Sequence, residues 1–212
     1  MEHPAPAPGE SIWQGHQIRL RPVEPDDWPL FHAWNQDDQV SRLADTVPFP
    51  ESAEAVRQRI ATASAQESSN DRFRWLMVDE NDRAVGTINT HSCDRRIGSF
   101  SFGLALAPQQ QGQGYASEAI RLVLRYFFAE LGYQKVHVHV YEYNQASRTL
   151  HEHFGFVEEG RLRRMNFTAG RHWDVLVYGM TREEFAAEQQ ENLPSFAAPE
   201  IPDAAAEGDP TT

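Results

Sequence analysis

An α/β or α+β fold around one mixed sheet is what three features of the sequence predict. Short apolar or alternating runs of strand type are interleaved with stretches whose apolar residues recur at helical period. A strand–turn–strand pair closes the patterned part of the chain. No internal repeat interrupts the alternation.

Ile18 to Val23 alternates apolar and charged residues, as a half-buried strand does. Asp26 and Asp27 then put carboxylates at the start of a helix carrying Trp28, Phe31 and Trp34. A second helix is predicted from about Ser52 to Ala65. Phe73 to Val78 and Ala84 to His91 read as a hairpin around Asp79-Glu80-Asn81-Asp82. The next strand, Ile97 to Ala107, has unlike faces: Phe100, Phe102, Leu104 and Leu106 on one, Ser99, Ser101, Gly103, Ala105 and Ala107 on the other. The large face is expected to pack, and the small one to let a ligand lie close to the backbone.

A long helix follows from Gly114 or Tyr115 to Leu131, with Ala116, Ile120, Val123, Phe127 and Leu131 as its apolar stripe and Gly132 to end it. Lys135 to Tyr141 is a strand with Val136, Val138 and Val140 on one face. A short helix spans Gln145 to Phe154, closed by Gly155. Phe156 to Asn166 and His172 to Met180 complete a hairpin turning at Thr168-Ala169-Gly170-Arg171.

One domain is expected over residues 11–187, between disordered tails at 1–10 and 188–212. The tails are rich in Pro, Ala and acid and poor in large apolar residues, so they cannot offset the entropy of ordering. They also explain the net charge of −12: residues 183–212 hold eight carboxylates and residues 1–10 two, which leaves about −2 for the rest. No basic stripe suited to nucleic acid is present, and no apolar run is long enough for a membrane span. The N-terminus lacks the pattern of a signal peptide, and the single cysteine, Cys93, permits no internal disulfide. The expected location is the cytoplasm.

The strongest chemical signal is Gln109-Gln110-Gln111-Gly112-Gln113-Gly114-Tyr115-Ala116, between a strand and a helix. Glycines allow a sharp turn and close approach of an anion to the amides, and unpaired N–H groups at a helix start attract negative charge. A pyrophosphate suits such a loop; a glycine-rich turn that merely starts a helix is the plainer alternative. A P-loop is excluded because no Lys lies near, and the dinucleotide fingerprint fails because position 117 is Ser and the context is not β-α-β.

Gln109-x-x-Gly112-x-Gly114, continued by Tyr115-Ala116-Ser117-Glu118-Ala119, is followed by Asn144-Gln145-Ala146-Ser147, Gly155-Phe156 and Glu159-Gly160. In order, spacing and context these blocks resemble the GNAT superfamily of N-acetyltransferases, RimJ/RimL-type branch, over about residues 17 to 185. The resemblance implies a mixed, mostly antiparallel sheet flanked by helices and splayed between its fourth and fifth strands, where the strand ending at Ala107 leaves the one ending at Tyr141. It implies acetyl-CoA as co-substrate. Its pyrophosphate would lie on Gln109, Gln111, Gly112, Gln113, Gly114, Tyr115 and Ala116, and its pantetheine along Leu104, Ala105 and Leu106 and near Asn144. Related enzymes often pair, so a homodimer is a possible assembly.

The implied reaction is direct attack of a neutral amine, from a protein N-terminus or a small molecule, on the thioester. Backbone N–H groups around Ala105 and Leu106 are candidates to hold the developing oxyanion. Many family members place Tyr seven residues after the Asn to protonate the thiolate; here that position is His151. Ser147 matches a serine that RimL-type enzymes use near the sulfur and is the first candidate donor, His151 the second. Ser147 could instead be a helix-start hydroxyl, and Asn144 a helix cap. Glu142 and Asp174 are candidate bases, though each would more commonly be a solvated carboxylate.

No metal is expected. His137 and His139 share a strand face, but His151 and His153 diverge by about 200° on a helix and no cysteine or close carboxylate completes a set. Cys93 reads as a bystander in the turn Ser92 to Arg95. Trp28, Trp34, Phe49, Trp75 and Trp173 could line an acceptor pocket or simply fill the core. Two functions from different classes fit: an N-acetyltransferase, or a non-catalytic acyl-CoA-binding regulatory or interaction module.

Overall fold

The computed structural model describes residues 11–65 and 70–192, the last three as backbone. Among the described residues seven strands form one sheet: β1 (Ile18–Pro22), β2 (Arg74–Asp79), β3 (Ala84–Asp94), β4 (Ser99–Leu106), β5 (Lys135–Tyr141), β6 (Val157–Thr168) and β7 (Arg171–Thr181). Their spatial order is β1-β2-β3-β4-β5-β7-β6, antiparallel throughout except between β4 and β5. The helices are α1 (Trp28–Asn35), α2 (Asp38–Ala44), α3 (Ala53–Ala65), α4 (Tyr115–Arg125), α5 (Gln145–His153) and α6 (Arg182–Asn192). None of them is long and apolar enough to cross a membrane.

Side-chain alternation along β2 shows how the sheet is covered on both faces. Trp75 and Met77 join the main core with Phe100, Val136, Leu176 and Met180, against Ile120, Val123 and Phe127 behind. Leu76 and Val78 point the other way and pack on Phe31, Val56 and Ile60 of α1 and α3. A strand covered twice reads as a continuous apolar run, which is why Trp75 to Val78 does not alternate.

The long helix expected through Leu131 is α4 followed by a π turn, Tyr126–Glu130. The extra residue in that turn lets the consecutive Phe127 and Phe128 both enter the core, with Phe127 stacked on Phe100 at 4.1 Å between ring centroids. Gly132 then closes the helix at φ +72°. Asp27 does not cap α1. Its carboxylate accepts two bonds from the Arg21 guanidinium, each 2.8 Å, and one from the Glu24 N–H.

Helix α2 was not foreseen, being short with no fully buried residue. Its signal is Asp37, whose side chain accepts from the Gln39 and Val40 N–H groups at 2.9 and 3.1 Å as an N-cap does. Cys93 lies at the end of β3 rather than in a turn. Helix α6 runs through Asn192, past the expected start of the acidic tail at 188; the rest of that tail and residues 1–10 lie outside the described residues.

Replacing Phe100, buried and ringed by Phe127, Phe128 and Tyr133, should expose how much the core relies on it. Phe100→Ala is expected to lower unfolding free energy by about 3–5 kcal/mol, read as a shift in the denaturant midpoint at unchanged slope.

Candidate active site

The site exists because β4 and β5 pair at only two positions, Ser99 with Lys135 and Phe100 with Val136. Beyond them β4 stays with β3 as far as Leu106, while β5 pairs with β7 along its whole length. The strands part, and the cleft between them is a cavity of about 450 Å³. Residues 102–106 all line it, in unbroken succession, so it is the edge of β4 and not one of its faces that borders the space. The expected division into a packed and an open face is corrected accordingly: Ser101 is buried, and Leu104 and Leu106 border the cavity with Gly103 and Ala105.

Strand parity decides which backbone groups point inward. The Ala107 N–H donates to the Val85 carbonyl at 3.0 Å, and the register to β3 is unbroken from Leu106 back to Ser101. Residues 105 and 103 therefore also turn their N–H groups to β3, whereas 102, 104 and 106 turn theirs to the cleft. Of the two oxyanion candidates, Leu106 faces the cleft and Ala105 does not.

At one end of the cleft stands the start of α4. Gly114 is its N-cap at φ +88°, a left-handed conformation that Gly adopts without steric penalty. The helical ladder begins with the Glu118 N–H, which donates to the Gly114 carbonyl at 3.1 Å, so the amides of residues 115–117 precede it. Gln111, Gly112, Gly114 and Ala116 line the cavity. Three of the predicted loop contacts do not: Gln113 donates to the Gln109 carbonyl and the Gln110 side chain, and Tyr115 packs on the core. Glu118, in the first turn, accepts from the His16 and Gln17 N–H groups and so ties the entry to β1 beside the loop.

Helix α5 supplies the opposite wall. Asn144 is its N-cap, accepting from the Ser147 N–H at 3.0 Å, and its Nδ2 donates to the Leu43 carbonyl of α2 at 3.0 Å. The carboxamide thus works as a cap and as a strut, and Asn144, Ser147 and His151 all border the cavity. His151 is 4% exposed, with Nδ1 2.7 Å from the Ser147 carbonyl and 3.4 Å from its hydroxyl. A carbonyl can only accept, so Nδ1 carries the proton and Nε2 the lone pair, which has no hydrogen-bond partner among the described residues. Burial between Phe102 and Tyr178 lowers the His151 pKa and keeps the ring neutral.

The remaining candidates lie outside. Glu142 and Asp174 share the Arg161 guanidinium, at 3.0 and 3.3 Å, and none of the three is among the residues lining the cavity. Donation from the Arg164 N–H, then Arg161, holds the Asp174 carboxyl below its ordinary range. His137 and His139 stand 6.2 Å apart between ring centroids, and among the described residues no group of three His, Cys, Asp or Glu is arranged to hold a metal. Cys93 donates to the Asp71 carbonyl, and burial raises its pKa. Of the aromatics, Trp75 is core, Phe49 is 93% exposed, and Trp173 packs on Tyr143 at 5.0 Å, a residue the sequence reading passed over. Among the lining residues it missed are Tyr141 of β5 and Val40, Leu43 and Ala44 of α2.

The chain matches the Acetyltransferase (GNAT) domain family over residues 17–157. It is 41% identical over 175 residues to the SPbeta prophage-derived uncharacterized N-acetyltransferase YokL of Bacillus subtilis (strain 168), covering 82% of this chain and 96% of that one. Spermidine N(1)-acetyltransferase of Vibrio cholerae is 29% identical over 162 residues, 75% of this chain and 90% of that one. The crystal structure of spermidine N-acetyltransferase from Vibrio cholerae in complex with CoA and spermine matches with a TM-score of 0.71 at 26% identity, over 80% of this chain and 98% of that one. The chain therefore belongs to the GNAT acetyltransferase family and is an acetyl-CoA-dependent N-acetyltransferase.

Proposed function

We propose that the protein acetylates a primary amine of a small molecule, with Ser147 giving the proton to the departing sulfur. One observation carries the reading: the amides at the start of α4 and the free edge of β4 border a single cavity that ends under α2. These groups fit acetyl-CoA, since a helix start suits a diphosphate and a strand edge suits the amides of pantetheine. When bound, acetyl-CoA supplies an acetyl group activated as a thioester. The acceptor nitrogen, as a neutral amine, forms the C–N bond while the C–S bond breaks; the nitrogen loses one proton and the sulfur gains one.

The Leu106 N–H, on the free edge, is the donor for charge that gathers on the acyl oxygen. His151 cannot release its Nδ1 proton without giving up the Ser147 carbonyl, whereas the Ser147 hydroxyl proton is free to turn into the cavity. That favours Ser147 over His151 in the place where many family members use a tyrosine. The spermidine-acetylating relatives support a small amine. The RimJ/RimL-type signature of residues 109–119 favours a second reading, a protein N-terminus as acceptor. Thiol release from acetyl-CoA with spermidine, simple monoamines and N-terminal peptides compares the two; peptides turned over more than about tenfold faster than every amine would reverse their order.

Ser147→Ala is expected to lower kcat about a hundredfold while the KM for acetyl-CoA moves little, because the hydroxyl acts on the leaving group. Gly114→Val should act on binding instead. A β-branched residue at φ +88° is strained and crowds the open amides, so the Kd for CoA by calorimetry should rise about tenfold or more. His151 also sets a pH limit on the fold. With its folded pKa below the ordinary 6.5, the unfolded chain takes up the proton first, so stability is full above about 6.5 and falls below it. The fall in Tm between about pH 7.5 and 5.5 should be shallower in His151→Phe; an unchanged slope would assign it to other groups such as His91 and His137.

A further inference from the structure

We infer that Asp45, held by the Tyr141 hydroxyl at the rim of the cavity, anchors a cationic group of the acceptor other than the nitrogen that reacts. The inference rests on the reading that the acceptor is a small amine. Among the described residues no Asp, Glu, Lys or Arg lines the cavity, so an incoming cation meets its first carboxylate at the rim. Tyr141 lines the cavity from the end of β5 and donates to Asp45 Oδ1 at 3.1 Å, and Asp45 directly follows Ala44, a lining residue of α2. The second carboxylate oxygen, Oδ2, takes no part in that bond.

The position is fixed from below. Tyr143 donates to the Arg42 carbonyl at 2.8 Å and Asn144 to the Leu43 carbonyl, so three consecutive contacts from residues 141–144 hold the last turn of α2. They also satisfy carbonyls that a helix end leaves open. Neighbouring cations are engaged elsewhere. Arg42, one turn before Asp45, gives its Nε to Thr168, and Glu142 and Asp174 are neutralised by Arg161, while Asp45 has no ion pair among the described residues.

Beside it, the Tyr141 hydroxyl also meets the buried residue Asn166. Tyr141 stacks on Tyr143 at 5.4 Å, and Tyr143 meets Trp173 edge-to-face at 5.0 Å, which gives the rim an aromatic wall along which methylenes can lie. A carboxylate beside an aromatic wall lacks one thing, a donor-rich cation. The reacting nitrogen must be neutral at the thioester, so the charge that Asp45 holds belongs to a second amine of the same molecule. The specificity that follows is for diamines and longer polyamines over monoamines of equal length.

Putrescine and n-butylamine differ by that second amine and provide the test. In Asp45→Asn the ratio of kcat/KM for putrescine to that for n-butylamine should fall about ten- to hundredfold, the loss appearing in KM for putrescine. Tyr141→Phe, which removes the bond that orients the carboxylate, should move the ratio about threefold the same way. Calorimetry of putrescine onto the CoA-loaded protein reads the anchor without turnover: wild type should bind about tenfold or more tightly than Asp45→Asn, with CoA affinity equal in both as the check on folding. Equal putrescine affinity in wild type and variant, or an unchanged ratio, overturns the anchor. Asp45-dependent putrescine binding without acetylation of any amine would support the anchor and overturn the small-amine reading alone.

Discussion

The parting of β4 from β5 after two residue pairs is the constraint on which the rest of the molecule depends. A strand edge inside a sheet is normally consumed by its neighbour. Here β3 and β7 each hold one of the two strands along its length, and the gap between them leaves the N–H and C=O groups of residues 102, 104 and 106 with no partner in the sheet. Unpaired backbone beside a cavity calls for a ligand with amides of its own. The α4 crossover that connects these parallel strands delivers its open N-terminus to the same cleft, so one topological feature creates the two groups of backbone donors at once.

Among the described residues no Asp, Glu, Lys or Arg lines the cleft, and its deeply buried titratable group, His151, is kept neutral by burial, with its Nδ1 bonded to the Ser147 carbonyl. The carboxylates instead brace the frame: Glu142 and Asp174 hold Arg161 across the β5–β7 end, Glu118 ties down residues 16 and 17, and Asp71 joins Arg95 to Tyr133. Helix α2 adds Val40, Leu43 and Ala44 to the cavity wall, and it is held there by hydroxyls and a carboxamide rather than by buried apolar surface.

How far the sequence could be read depends on whether a feature is local. Strand alternation, helical stripes and the glycines at 112, 114, 132 and 155 act within a few residues, so the strands, α4, α5 and the anion loop were all legible. Helix α2 was not, since seven residues with two half-exposed apolar side chains give almost no period, and only the Asp37 cap marks it. Glu142 and Asp174 looked like bases because each stands near the expected site in the chain. In the fold neither lines the cavity, and both pair with Arg161, which is 19 residues from one and 13 from the other.

By itself, then, the sequence determined the order of elements, the glycine-rich loop at the start of α4 and the family to which the chain is similar, because backbone conformation at glycine and side-chain period are short-range properties. Tertiary structure alone decided which edge of β4 is free, that Leu106 and not Ala105 faces the cleft, that the His151 proton is committed to Ser147, and that Asp45 meets Tyr141 across 96 residues. Those facts are set by strand register and helix docking, which bring together groups whose separation along the chain carries no trace of their contact.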